Sequence, residues 1–323
     1  MILSVSRRTD IPAFYSDWFY ERMKERAFCV RNPMNIHQVS RLNISPQIVD
    51  CIVFWTKNPE PMLERLDELS EYDYYFQYTL NNYDKETEPF VAPIEERIET
   101  FKKLSQRIGK ERVIWRYDPI IFTDKYDEKF HIESFMRIAS ELHDYTEKCV
   151  FSFVDIYSSK NSKNLSNMNI RQLSDEELDA FAGGLSEIAK KFGLVLATCA
   201  EKIDLSKHGI EHNSCIDRVL IERVTNSKLK VGADGQREAC GCVKCDDIGA
   251  YDTCTHGCTY CYANYRKEIV WEKAKKVDIS SPLLCDFINP ETDKVTDRPL
   301  KSYKVDGGSD GDIYSQLSLF DIK

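Results

Sequence analysis

Apolar positions recur along this chain in two alternating rhythms. Short runs rich in β-branched and aromatic residues read as strands: Ile2–Ser6, Cys51–Trp55, Tyr74–Leu80, Val113–Trp115, Cys149–Val154 and Leu194–Ala197. Between them the spacing stretches to three and four residues, which puts one apolar face on a helix. Tyr15, Phe19 and Met23 form one such face, beside Trp18. Met62, Leu66 and Leu69 form the next, followed by Ile94, Ile98, Phe101 and Ile108, then Phe135, Ile138 and Leu142. Leu178, Phe181, Leu185, Ile188 and Phe192 form the last of the series. Asp10 stands where a helix cap belongs, with Pro12 in the first turn behind it. Ser174 and Glu177 have capping-box spacing. Residues 27–45 fit neither rhythm and suggest an irregular hairpin or connection.

Strand–helix alternation at this period predicts an α/β fold: a parallel, TIM-barrel-like (β/α) barrel or partial barrel with helices outside. In such folds the active site gathers at the C-terminal ends of the strands. Polar residues collect there: Arg8, Lys57, Gln77, Arg116, Asp118, Asp155 and Glu201, with Asp10 and Asn58 alongside. Any one of them alone reads as a strand-end hydrogen bond or a cap. Together they point to a polar ligand in the mouth. Lys57, Arg116, Asp118, Asp155 and Glu201 are the catalytic candidates; Arg8, Asp10, Asn58 and Gln77 are candidates for holding a cofactor.

Cysteine changes this picture most. The chain has twelve, of which eight fall between Cys199 and Cys261. Clustered thiols in a chain without an export signal read as metal binding rather than as a disulfide framework. Cys29, Cys51, Cys149 and Cys285 stand apart among apolar residues and read as core packing. In Cys254-Thr-His-Gly-Cys258-Thr-Tyr-Cys261 three thiols share one tight loop with a glycine at its bend. Three thiolates so placed can hold three corners of a soft-metal centre, most naturally a cubane, leaving the fourth iron open. Catalytic metal sites keep such an open position and structural ones close it. Cys199, Cys215, Cys240 and Cys242 could close a second iron–sulfur cluster. The alternatives are a zinc ribbon built from the six cysteines between 240 and 261, and free buried thiols.

This loop, with Tyr260 just before its last cysteine, resembles the cluster loop of radical S-adenosylmethionine (SAM) enzymes. Cys258-Thr-Tyr-Cys261-Tyr-Ala-Asn is locally similar to the spore photoproduct lyase branch. Ser6-Arg-Arg-Thr-Asp10 and Trp115-Arg-Tyr-Asp-Pro119 add a whole-chain resemblance to an uncharacterised bacterial family with a C-terminal radical-SAM-like cysteine cluster. The resemblance implies a 4Fe–4S cluster on Cys254, Cys258 and Cys261, SAM on its open iron, Tyr260 near the adenine, and an external reductant. It also implies the auxiliary set Cys199, Cys215, Cys240 and Cys242. Radical SAM loops follow the first strand, and here the loop begins at residue 254. The expectation is therefore a circularly permuted barrel, with a strand in Asp247–Thr253, a helix in Tyr262–Lys276, and Ile2–Ser6 as second strand. No glycine-glycine-acid motif follows Ile2–Ser6, so the usual clamp for the SAM amino group has no counterpart; Arg7-Arg8-Thr9-Asp10 stands in its place.

Composition narrows the rest. A formal charge of −9 argues against a broad nucleic-acid-coating surface. No run approaches a membrane span, and the Arg7–Arg8 pair lacks the apolar run of an export signal, so a cytoplasmic protein is expected. Residues 1–280 read as the barrel, with cluster-binding region 199–265, and 281–323 as a largely flexible tail. The tail carries Gln316-Leu317-Ser318-Leu319-Phe320, which is similar to the motif that docks bacterial repair proteins on the DNA sliding clamp. Three functions follow: a radical SAM enzyme of unknown substrate, a structural iron–sulfur or zinc protein that binds a partner through its tail, and a DNA-lesion repair enzyme.

Overall fold

The computed structural model describes residues 1–154, 165–166, 168–234 and 240–305. Eight strands form one parallel sheet: β1 (Ile2–Val5), β4 (Cys51–Thr56), β5 (Tyr74–Thr79), β6 (Val113–Ile120), β7 (Lys148–Phe153), β8 (Val195–Cys199), β9 (Glu211–Asn213) and β10 (Asp246–Asp247). Their spatial order is β10-β1-β4-β5-β6-β7-β8-β9. The last strand of this sheet in sequence thus lies beside the first, with Leu3 opposite Asp246 and Ser4 opposite Asp247.

Alternation along each strand divides the apolar residues between two cores. Leu3, Ile52, Phe54, Phe76, Trp115 and Phe151 face the helices in the larger core. These include Ile94–Ile108, Glu128–Leu142 and Asp175–Lys191, the last opened by the expected capping box. Ile2, Cys51, Val53, Tyr75, Ile114 and Val150 face the concave side, where Cys215, Ile216, Leu220, Ile221 and Val243 fill the space. Two residues further along each strand this inner face turns polar. Val53 gives way to Trp55, whose indole N–H donates to Ser4 Oγ at 3.1 Å, Tyr75 to Gln77, Ile114 to Arg116 and then Asp118, and Val150 to Ser152. A period of two carries the polar residues into the mouth while the same face stays dry lower down.

The segment after β9 crosses the concave side. Tyr75 Oη and Gln77 Nε2 both donate to the Cys215 carbonyl, at 2.7 and 2.9 Å. Val243 N donates to Ile216 O at 3.1 Å, linking the chain after β9 to the chain before β10. Among the described residues β9 and β10 do not pair with each other.

Several sequence expectations need correction. Met62, Leu66 and Leu69 are buried as expected, but on a 3-10 helix, Glu60–Leu69. Residues 27–45 hold the expected irregular hairpin: β2 (Ala27–Asn32) pairs antiparallel with β3 (Asn35–Asn43), and the register shifts between Arg31 and Asn32. The strand placed in Asp247–Thr253 is confined to Asp246–Asp247, because Asp247 turns its carboxylate back to accept from Gly249 N at 3.0 Å. The helix placed in Tyr262–Lys276 begins only at Lys267, since Asp252 Oδ1 takes the Tyr265 and Arg266 amides at 2.6 and 3.0 Å. Residues 281–305 are not a linker: β11 (Lys294–Asp297) pairs with β3, and Leu283 packs with Cys29 and Val39 in a small core. Tyr303 N donates to Asp50 at 2.8 Å, and Lys230 N to Tyr303 O at 2.8 Å, tying the segment to the body of the fold. Residues 306–323, with the Gln316–Phe320 motif, lie outside the described residues, as does Asp155. Among the described residues, no helix is long and apolar enough to cross a membrane.

Candidate functional site

The polar ends of the strands, the cysteine loop and the second cysteine set line one cavity of about 400 Å³. Arg8, Lys57, Arg116 and Asp118 face it, together with Cys254, Cys258, Cys261, Cys199, Cys215, Cys240 and Cys242.

Asp10 fixes the cysteine loop to the parallel sheet. Its Oδ1 accepts from Ala13 N at 3.1 Å, capping the short helix Ile11–Phe14. Its Oδ2 accepts from Lys57 N at 2.7 Å at the end of β4 and from His256 Nε2 at 2.8 Å in the loop. Asp10 lines the cavity, but its oxygens already serve three donors. Gly257 makes the bend, with φ of +72° that an L side chain adopts only under strain. An added Cβ there would also lie 2.8 Å from the Phe90 ring.

A buried ion pair holds the far end of the loop. Lys57 Nζ donates to Glu88 Oε1 at 2.8 Å and to Tyr260 Oη at 3.0 Å, and Tyr260 Oη donates to Glu88 as well. Burial pulls the Lys57 ammonium down, but the Glu88 and Cys258 charges raise it more, and its pKa ends above the ordinary value. Burial likewise pushes the Glu88 carboxyl up, yet Lys57 and Arg97 bring it below the ordinary range. The pair is ionised in a dry site. Glu88 carries no sequence signal, since its loop has no periodicity.

On the opposite wall Arg116 donates through Nε to Asp118 at 3.0 Å and through Nη1 to Cys215 Sγ at 2.9 Å. Ser152 Oγ donates to the other Asp118 oxygen. Gln77 is almost fully buried and props Cys215 and Arg116 from below rather than facing the cavity. Asn58 also stays off the cavity and accepts from Glu60 N at the start of the 3-10 helix. Glu201 accepts from Phe153 N at 2.8 Å, a strand-end contact. Arg8 lies over the Tyr251 ring at 5.2 Å and 3.8 Å from Asp247, at the mouth.

The loop thiols are surrounded by donors suited to thiolate sulfur. Ala263 N donates to Cys261 Sγ at 3.4 Å, and backbone N–H groups of His256 and Asp10 lower the Cys254 thiol. Burial outweighs them, with the Cys261 charge adding to it, and pushes Cys254 up to about 12. A bound cation reverses that balance by deprotonating the thiol outright. Among the described residues no group of three or more His, Cys, Asp or Glu is arranged to hold a metal ion. A cubane differs from a single ion here, because each thiolate holds a different iron. The second set forms a contact chain: Cys199 Sγ lies 3.1 Å from Cys215 Sγ, and Cys242 hydrogen-bonds both Cys215 and Cys240. Ile216 N donates to Cys242 Sγ at 3.3 Å.

The fold and site thus define an α/β protein with a parallel-sheet mouth walled by cysteines. The chain belongs to the family described as domain of unknown function DUF1848, whose model matches residues 2–263. No curated protein matches it. Among solved structures it is similar to a protein from Bacteroides thetaiotaomicron described provisionally as an alpha-L-fucosidase. That match is 16% identical and covers 49% of this chain and 66% of the other, short of two thirds of its length. Its TM-score is 0.24.

Proposed function

We propose that this chain is an iron–sulfur enzyme of the radical SAM class, on a circularly permuted (β/α) barrel. The observation that carries the proposal is the meeting of Cys254, Cys258 and Cys261 with the polar strand ends in one cavity. The order of β10 beside β1 supports the permutation, since it puts the strand before the cysteine loop next to the N-terminal strand. Thiols with backbone donors aimed at two of them fit an iron–sulfur cluster, and a loop with three cysteines leaves one iron open. Cys254, Cys258 and Cys261 would hold the cluster, and with SAM bound it would supply one-electron reductive cleavage of SAM and 5′-deoxyadenosyl radical chemistry.

The chain's own residues do the rest. Asp10 and the Lys57–Glu88–Tyr260 group hold the loop rigid against the barrel. Arg116 and Lys57 are already matched to carboxylates, so they set the field of the cavity rather than waiting for an anion. Asp118 and Ser152 offer acceptor and hydroxyl to a polar substrate group beside Cys215, and Arg8 offers charge at the mouth. Cys199, Cys215, Cys240 and Cys242 would hold a second cluster on the same cavity.

Anaerobic purification with iron and zinc analysis, then EPR of the reduced protein with and without SAM, tests the reading. About four or eight irons per chain and a signal perturbed by SAM are expected. Zinc in place of iron, or a signal indifferent to SAM, would move the protein to the structural-metal class. Damaged DNA is the first substrate to try, given the resemblance of the loop to photoproduct lyases. Binding of a Gln316–Phe320 peptide to a bacterial sliding clamp tests the partner.

A further inference from the structure

The buried charges beside the cysteine loop do not cancel. Lys57 shares the cavity wall with Cys258 and Cys261, and its Nζ donates to Tyr260 Oη at 3.0 Å, in the loop between them. The same Nζ lies 2.8 Å from Glu88 Oε1, and Arg97 Nη2 stands 3.9 Å from Glu88 Oε2. The Lys57, Glu88 and Arg97 side chains are 13%, 1% and 2% exposed. Two cations against one carboxylate leave this group with one positive charge in excess, in a dry site. Arg97 is anchored independently of Lys57, by Nε to the Ala92 carbonyl and by Nη2 to the Asn81 carbonyl, both at 2.9 Å. Glu88 therefore keeps a cation beside it when Lys57 is replaced.

The excess charge acts on two of the three loop thiols. Burial drives the Cys258 thiol well above its ordinary value, and the Lys57 charge opposes burial more than the Glu88 charge adds to it. At Cys261 burial again raises the thiol, while the Ala263 and Asn264 backbone donors and then Lys57 lower it. Asp10 acts on Cys254 with the opposite sign, and its oxygens already serve three donors. Lys267 acts on Cys261 and Cys258 from an exposed position, where salt screens it. A buried charge is screened far less than an exposed one.

We propose that Lys57 is a positioning residue that sets the reduction potential of the loop cluster: its ammonium, fixed by Glu88 and Tyr260, favours the reduced form. The inference rests on the iron–sulfur reading for the presence of the cluster. Reduction adds one electron, hence one negative charge, to a centre held by thiolates, and no bond in the protein changes. A fixed cation next to that centre stabilises the added charge and raises the potential, since net charge is one of the quantities that set it. Removing the cation lowers the potential, and removing the carboxylate raises it.

The test is a reductive titration of the iron-loaded full chain, with dithionite as electron donor, viologen dyes as mediators and EPR as the readout. Lys57→Met, Lys57→Arg and Glu88→Gln are compared with wild type at equal iron content. The expected result is a more negative midpoint in Lys57→Met, recovery of most of that shift in Lys57→Arg, and a shift the opposite way in Glu88→Gln. Lost packing alone would move Lys57→Met and Glu88→Gln together. A Lys57→Met midpoint equal to wild type, or both variants displaced in the same direction, would overturn the assignment. If Lys57→Met fails to hold iron, the sign of the Glu88→Gln shift decides: upward supports the assignment and downward overturns it. A wild-type chain without iron would overturn the cluster and this inference with it. An iron-loaded chain whose signal ignores SAM would overturn the enzyme reading alone, and the midpoints would still decide the role of Lys57.

Discussion

Asp10 and His256 are joined by a buried hydrogen bond of 2.8 Å across 246 residues of sequence. Both side chains are almost inaccessible, and the same Asp10 oxygen also accepts from Lys57 N. One carboxylate therefore ties helix Ile11–Phe14, the end of β4 and the cysteine loop together. Replacing Asp10 with Ala removes a helix cap and leaves two buried donors without partners. The expected loss is about 2–4 kcal/mol in chemical denaturation. His256→Ala, which keeps the cap, should cost less, and that ranking is the check.

The glycine at the loop bend gives a second test. Gly257→Ala adds strain at positive φ, about 1 kcal/mol, and drives a Cβ into the Phe90 ring. Adding Phe90→Ala should recover the steric part and leave the backbone part. A fully additive double mutant would mean that the ring and the bend are uncoupled. Gly249 is more demanding: an added Cβ would lie 1.9 Å from Ser6 Oγ. Gly249→Ala is expected to destabilise by about 1–3 kcal/mol by forcing β1 and the chain after β10 apart.

The rhythm of apolar residues exposes the strands and the inner-face polar residues because both follow the same period of two. Arg116 and Asp118 could be placed at the mouth from Ile114 alone. Glu88 could not, since residues 84–93 have no periodic frame, and its ion pair with Lys57 is a tertiary event. Asn58 and Gln77 show the opposite limit: their sequence positions are right for the rim, but one turns to accept from the Glu60 amide and the other turns to the Cys215 carbonyl. The tail after residue 280 has the composition of a linker, yet β11 is held because its edge pairing with β3 needs backbone rather than periodic side chains.

His131 sets an acid limit on stability. It is buried, meets Tyr117 Oη at 2.9 Å and the Ile121 carbonyl at 3.0 Å, and burial holds its pKa down at about 4. The folded state therefore binds the proton less readily than the unfolded state, whose imidazole titrates near 6.5. Its contribution is fully present above about pH 6.5 and is lost as pH falls toward 4. The loss is on the order of 3 kcal/mol at the acid end. Denaturation curves for wild type and His131→Gln should converge in that window; parallel curves would remove the assignment.

The metal-free thiols should react in a fixed order. A hydrogen bond with Cys242 holds Cys240 down at about 7, against the opposing effect of burial. Burial, with the Cys261 charge adding to it, pushes Cys254 up to about 12. As pH rises from 6 to 8, the Cys240 thiolate becomes the majority form while Cys254 stays protonated. Because the thiolate is the nucleophile, iodoacetamide on chelator-stripped protein should label Cys240 well before Cys254, faster at pH 8 than at pH 6. Peptide mass spectrometry reads the order. Iron-loaded protein should protect Cys254, Cys258 and Cys261 together, because the loop's three thiolates would share one cluster. Protection of the Cys199, Cys215, Cys240 and Cys242 set in the same sample would mark a second cluster. Labelling of that set at the metal-free rate would leave those four as thiols lining the cavity wall.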